Sequence, residues 1–124
     1  RITRNISRIL GYSLNKISYK KAIEKIDTPY YEEDRVYPNI IPGWDNSPRR
    51  GPGAFIFHKA TPALFKKHVK MILNRIKDKP DEDKVIFLKS WNEWAEGNYM
   101  EPDLTFGKGY INALHEALNS TLGK

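Results

Sequence analysis

The chain has 124 residues, 40% of them hydrophobic and 29% charged, an ordinary globular composition with enough apolar side chains for one core, so one domain is the upper bound. It contains no cysteine, which excludes disulfides and thiolate chemistry and suits a reducing compartment, and no apolar run approaches the roughly 18 residues of a membrane-crossing helix. Much of the formal net charge of +6 comes from Arg1, Arg4, Arg8, Lys16, Lys20 and Lys21, ahead of the first acid, Glu24; with no stacking aromatics or nucleic-acid motif among them, these read as a solvated face, and no nucleic-acid partner is expected.

In chain order, Ile2, Ile6, Ile9 and Leu10 recur at helical spacing and predict a short helix that Gly11 interrupts. Ser18 is a natural N-cap for a helix burying Tyr19, Ala22, Ile23 and Ile26, which Thr28-Pro29 closes. Between Val36 and Trp44 any strand must be short, because Pro38 and Pro42 remove two backbone donors. Asp45 to Pro48 reads as a turn, and Ala54 to Phe57 as a minor strand or a loop pressed on the core. Thr61-Pro62 starts a helix with Phe65, Val69, Ile72 and Ile76 on one face, and Pro80 stops the pattern. Val85 to Leu88 is apolar without alternation, as expected of a parallel strand covered on both faces. A last amphipathic helix carries Tyr110, Ile111, Leu114, Ala117, Leu118 and Leu122, with Gly123 as its terminus.

Helix, strand, loop, helix, strand, loop, helix is the repeating order of an α/β fold. A complete (β/α)8 barrel takes about 200–250 residues, so residues 1–124 would form a single partial domain holding its last two or three β/α units. Such a piece needs the N-terminal barrel strands of the same protein as a partner, and an opening at Arg1 with no initiator Met fits an excerpt. Expressed alone it is expected to aggregate or stay partly unfolded.

The chemistry should sit in the loops that follow strands, over 42–53 and 90–103. From Ser90 to Asp103 the chain packs Trp91, Asn92, Glu93, Trp94, Glu96, Tyr99, Glu101 and Asp103. Sugar sites need this mixture: rings stack on pyranose faces, amides and carboxylates bind hydroxyls, and a carboxyl pair works at the anomeric carbon. A helical turn would hold Glu93 and Glu96 about 5–6 Å apart at Cβ, and an extended loop would separate them further; either suits some glycosidase. The plainer alternative is a cluster serving a helix N-terminus or nearby cations, with the tryptophans packing. Pro42 to Gly51 (PGWDNSPRRG) again mixes Trp44, Asp45, Asn46 and Arg49 past a strand, and its plainer reading is an ordered turn. His58, His68 and His115 lack metal-ligand spacing. No Gly-rich phosphate loop is present, so neither metal nor other cofactor is expected.

The blocks PGWDNSPRRG (42–51), Thr61-Pro62, WNEWAEG (91–97) and MEPD (100–103) together resemble the signature of WbsX-type proteins, which belong with the glycoside hydrolase family 99-like domains. The resemblance spans about Tyr19 to Leu118 and implies the C-terminal part of a (β/α)-barrel. Bacterial members are commonly encoded with O-antigen and other surface-polysaccharide machinery, which implies an oligosaccharide or polysaccharide substrate and a cytoplasmic location. By likeness to the related endo-α-mannosidases, Glu93 is implied to be the base that takes the 2-hydroxyl proton. Glu96 is implied to be the general acid, then the base for water or an acceptor sugar, with retention at the anomeric centre. Trp44, Asp45 and Arg49 are implied to line sugar subsites, and Asn46, Trp91, Asn92, Trp94, Tyr99 and Glu101 complete the candidate substrate-binding set. Gly97 to Met100 depart from the mannosidase pattern, so the sugar and linkage are not implied. The competing expectations are a glycosyltransferase using an activated donor and a non-catalytic carbohydrate-binding module.

Overall fold

The computed structural model describes Gly11 and residues 15–122. The expected first helix and the Gly123 terminus lie outside these residues. Within them, helices alternate with strands in an α/β arrangement whose six short strands form two parallel pairs and one antiparallel pair.

Strand β1 (Asn15–Ser18), not foreseen from the sequence, runs parallel to β3 (Phe55–His58), with Asn15 opposite Phe55 and Ser18 opposite His58. It leads directly into helix α1 (Tyr19–Ile26), capped as expected by the Ser18 hydroxyl, which accepts the Lys21 N–H at 3.3 Å. Tyr19, Ala22 and Ile23 are the buried stripe. Thr28 then caps a single 3-10 turn, Pro29–Glu32.

Strand β2 (Asn39–Ile40) lies parallel to β4 (Phe87–Leu88). The prolines keep it to two residues without cost to this pair: Pro38 and Ile40 serve as acceptors, taking the Phe87 and Lys89 N–H groups at 3.0 and 2.9 Å. The region read as a turn instead winds into the one-turn helix α2 (Ser47–Arg50) and a 3-10 turn, Gly51–Gly53, before β3.

Thr61 caps helix α3 (Pro62–Ile76) by accepting the Leu64 N–H at 3.3 Å. Its face of Phe65, Val69, Ile72, Leu73 and Ile76 packs against helix α4 (Gly109–Leu122). Ile40, Met100, Tyr110, Ala113 and Ala117 join most of these residues in one core, and each large apolar side chain withdrawn from water contributes about 1.5–3 kcal/mol. The starts of the two helices approach so closely that a Cβ at Gly109 would sit 2.8 Å from Pro62 Cγ.

The expectation that Val85 to Leu88 is covered on both faces is corrected. Ile86 and Leu88 pack against the core, but Phe87 is 57% exposed and Val85 39%. The helices cover one face of β4, and on the other the Tyr37 ring meets Phe87 edge-on at 6.4 Å between centroids and leaves it largely open.

Candidate active site

Both blocks singled out in the sequence meet in space. After β4 the chain forms an antiparallel hairpin: β5 (Asn92–Glu93), a 3-10 turn Trp94–Glu96, and β6 (Asn98–Tyr99), with Glu93 opposite Asn98. Its base is fastened by Ser90 and the fully buried Asn98: the Ser90 N–H donates to Asn98 Oδ1 and the Ser90 hydroxyl to the Asn98 carbonyl, both at 2.8 Å. The same hydroxyl accepts the Glu93 N–H at 3.1 Å. These three hydrogen bonds tie Ser90 to Asn98 and to the Glu93 backbone and so hold the segment that carries Glu93, while the buried Asn98 Nδ2 has no hydrogen-bond partner among the described residues.

The hairpin turn docks on the 42–45 segment through the Asp45 N–H, which donates to the Glu96 carbonyl at 2.7 Å. Gly97 makes this approach possible. Its φ is +55°, and any Cβ there would lie 3.1 Å from both Asp45 Cβ and Asp45 N.

Arg49, near the end of α2, reaches across to both glutamates. Its Nη2 lies 3.1 Å from Glu93 Oε1 and its Nη1 3.5 Å from Glu96 Oε1. The carboxylates thus converge on one guanidinium, with the Glu96 side chain 19% exposed and that of Glu93 35%. Because the Arg49 side chain is 54% exposed, the pairs contribute little stability, and the guanidinium is free to exchange partners.

Trp94 stacks on Tyr99 at 3.8 Å between centroids and 12° between planes, and its indole N–H donates to Glu101 Oε2 at 2.5 Å. Trp91 and Trp94 are each about half exposed. Burial first, then the Asp103 charge and hydrogen bond, push the Tyr99 phenol above its ordinary pKa, so it remains a proton donor near neutrality. Asn92 is exposed on β5.

Other candidates have local duties. Asn46 Oδ1 accepts the Phe55 N–H and Asp45 Oδ1 the Ser47 N–H, each at 2.9 Å. Asp103 organises the 103–107 turn, accepting the Thr105 and Phe106 N–H groups and the Tyr99 hydroxyl. Trp44 carries the Lys89 ammonium 5.1 Å from its ring centroid. Of the histidines, His68 is buried, His115 is exposed beside Asn119, and His58 is half-buried at a cleft.

That cleft, about 360 Å³, lies beside the glutamates and shares Asp45, Gly97 and Tyr99 with their surroundings; Trp44, His58, Lys59 and Asp103 also line it. Glu93 and Glu96 stand outside its wall. Sequence reasoning missed Ser90 and Asn98 as supports, and His58, Lys59 and Lys89 as neighbours, because no spacing rule marks a residue that becomes adjacent only through docking.

The profile of the family described as Glycosyltransferase WbsX matches residues 1–114. The uncharacterised protein WxcX of Xanthomonas campestris pv. campestris, from strain B100 and from a second strain, is 36% identical over 84 residues, 67% of this chain and 12% of the relative. The chain therefore spans about an eighth of the length of these curated relatives. No solved structure matches the chain significantly.

Proposed function

The chain belongs to the WbsX glycosyltransferase family, and from that premise we propose that it supplies the carboxylate pair of a carbohydrate-active enzyme acting on glycosidic bonds of a bacterial surface polysaccharide. The observation that carries the proposal is the convergence of Glu93 and Glu96 on Arg49 at 3.1 and 3.5 Å, in a hairpin clamped from below and flanked by exposed Trp91 and Trp94. A pair serving only as surface charge would need no such clamp.

We further propose that the chain is the closing part of a (β/α)-barrel. The parallel pairing of β2 with β4, with helices on one face and Phe87 open on the other, supports this placement.

In the proposed cycle Glu93 takes the proton of the sugar 2-hydroxyl, and that oxygen attacks the anomeric carbon. The bond from this carbon to the leaving oxygen breaks as Glu96 gives that oxygen its proton. Water or an acceptor hydroxyl then loses a proton to Glu96 and attacks the anomeric carbon. The ring-closing bond opens, and the 2-oxygen recovers its proton from Glu93, so two displacements retain configuration. Arg49 shields the carboxylates from each other at rest and turns to substrate hydroxyls when the sugar enters between them.

The test is Glu96→Gln in the full-length protein, with oligosaccharide turnover and binding measured together. Turnover is expected to fall by about 10²–10⁴-fold with affinity retained; unchanged turnover would sink the assignment. The family name favours a second reading, transfer from an activated donor. Product analysis separates the two, since hydrolysis leaves a free reducing end whereas transfer extends an acceptor.

A further inference from the structure

Resting on the reading of this chain as carbohydrate-active, we propose that the cleft beside the glutamate pair is a subsite for one uncharged sugar ring, which stacks on Tyr99, and that Trp94 holds Tyr99 in place from outside the cleft. Five of the side chains lining the cleft are aromatic, Trp44, Phe57, Tyr99, Phe106 and Tyr110. Its volume of about 360 Å³ lies at the low end of the roughly 300–1,000 Å³ of small-molecule sites, which suits a single ring.

Two of these rings are fixed by groups that lie outside the cleft. Trp94 stacks on Tyr99 at 3.8 Å between centroids and 12° between planes, and the Tyr99 hydroxyl donates to Asp103 Oδ2 at 3.2 Å. Trp94 is itself oriented by its indole N–H, which donates to Glu101 Oε2. Neither Trp94 nor Glu101 lines the cleft, so the stacking that fixes Tyr99 takes up none of the space a ligand would use. Trp44 is held in a similar way: the Lys89 ammonium lies 5.1 Å from its ring centroid, and Lys89 is not part of the lining either. Rings ordered before a ligand arrives lose little freedom when it binds.

The charges of the wall argue for an uncharged ligand. Asp45 and Asp103 stand there with one lysine, Lys59, and the imidazole of His58, so an acidic sugar would face two carboxylates. A cationic sugar gains little either, because three of the four Asp oxygens already accept hydrogen bonds: Asp45 Oδ1 from the Ser47 N–H, Asp103 Oδ1 from the Thr105 and Phe106 N–H groups, and Asp103 Oδ2 from the Tyr99 hydroxyl. Asp45 Oδ2 is left to accept a sugar hydroxyl, with the C–H face of the ring on Tyr99.

The experiment is calorimetric titration of the full-length protein with the methyl glycosides of glucose and galactose, of their uronic acids, and of glucosamine and galactosamine. Wild type is compared with Tyr99→Leu, Tyr99→Phe, Trp94→Leu and Trp94→Phe, with thermal melting to confirm that each variant folds. At least one neutral glycoside is expected to bind, about tenfold tighter than its own uronide and no weaker than its amino counterpart. Tyr99→Leu should lower that affinity by about tenfold, whereas Tyr99→Phe keeps the ring and should stay within about twofold of wild type. Trp94→Leu should weaken binding and Trp94→Phe restore it, because a phenyl ring can still stack on Tyr99. Trp94 is about half exposed, so this second pair carries the test should Tyr99→Leu fail to fold. The proposal is overturned if no neutral glycoside binds, if a uronide or an amino sugar binds tighter, if Tyr99→Leu and Tyr99→Phe lose affinity equally, or if Trp94→Leu binds as wild type does. The catalytic reading fails separately, if Glu96→Gln keeps full turnover while the neutral glycoside still binds.

Discussion

His68 lies on α3 with its side chain fully enclosed and neither ring nitrogen hydrogen-bonded among the described residues. Burial depresses its pKa from 6.5 to about 4, while the nearby Asp27 charge opposes that shift. A base whose folded pKa is depressed stabilises the fold fully above its unfolded pKa. As pH falls from 6.5 towards about 4 the unfolded chain takes up a proton that the folded chain refuses, and stability is lost. From pH 7 to pH 5 the loss from this group is about 2 kcal/mol. Urea unfolding of wild type and His68→Leu at the two pH values checks this: the variant should show a pH dependence smaller by about that amount, and equal slopes would refute it. The sequence, showing no metal-ligand spacing, left His68 as a surface or packing residue, and the structure makes it a packing one, since burial depends on which helix face meets the core.

Between residues and the whole, the hairpin of β5 and β6 is the element on which the site depends. Its turn is held by Ser90 and Asn98 below and by the Asp45 N–H at the side, and Gly97 is where both constraints meet. Gly97→Ala adds a Cβ 3.1 Å from Asp45 at a φ of +55°, so a loss of about 1–3 kcal/mol is expected, together with displacement of Glu96 away from Arg49. Denaturant unfolding reports the first effect, and a change in Trp94 fluorescence in the folded state the second; a variant matching wild type in both would show that the docking is slack. The longer elements were legible beforehand: Ser18 and Thr61 caps and apolar faces at helical spacing place α1 and α3, because a helix writes its start and buried side locally. Strand β1 was not legible, since four residues of NKIS alternate too briefly to distinguish a strand from the helix beside it.

At the scale of the molecule, one apolar core lies between α3, α4 and the β2/β4 pair, while Phe87, Val85 and Leu104 remain exposed. Two-residue strand pairs leave backbone donors and acceptors free to join another chain. Residues 1–124 alone are therefore expected to self-associate and to bind a hydrophobic dye; a monomeric, cooperatively melting species by sedimentation and calorimetry would contradict this. The family and the two blocks that meet at the site were readable because motif chemistry and order survive in a linear chain. That Glu93 and Glu96 face the same guanidinium, that Asn98 is buried, and that Lys59 lines a cleft were settled by the tertiary structure alone. Arg49 is 44 and 47 residues from the two glutamates it meets, and local periodicity carries no information about such distances.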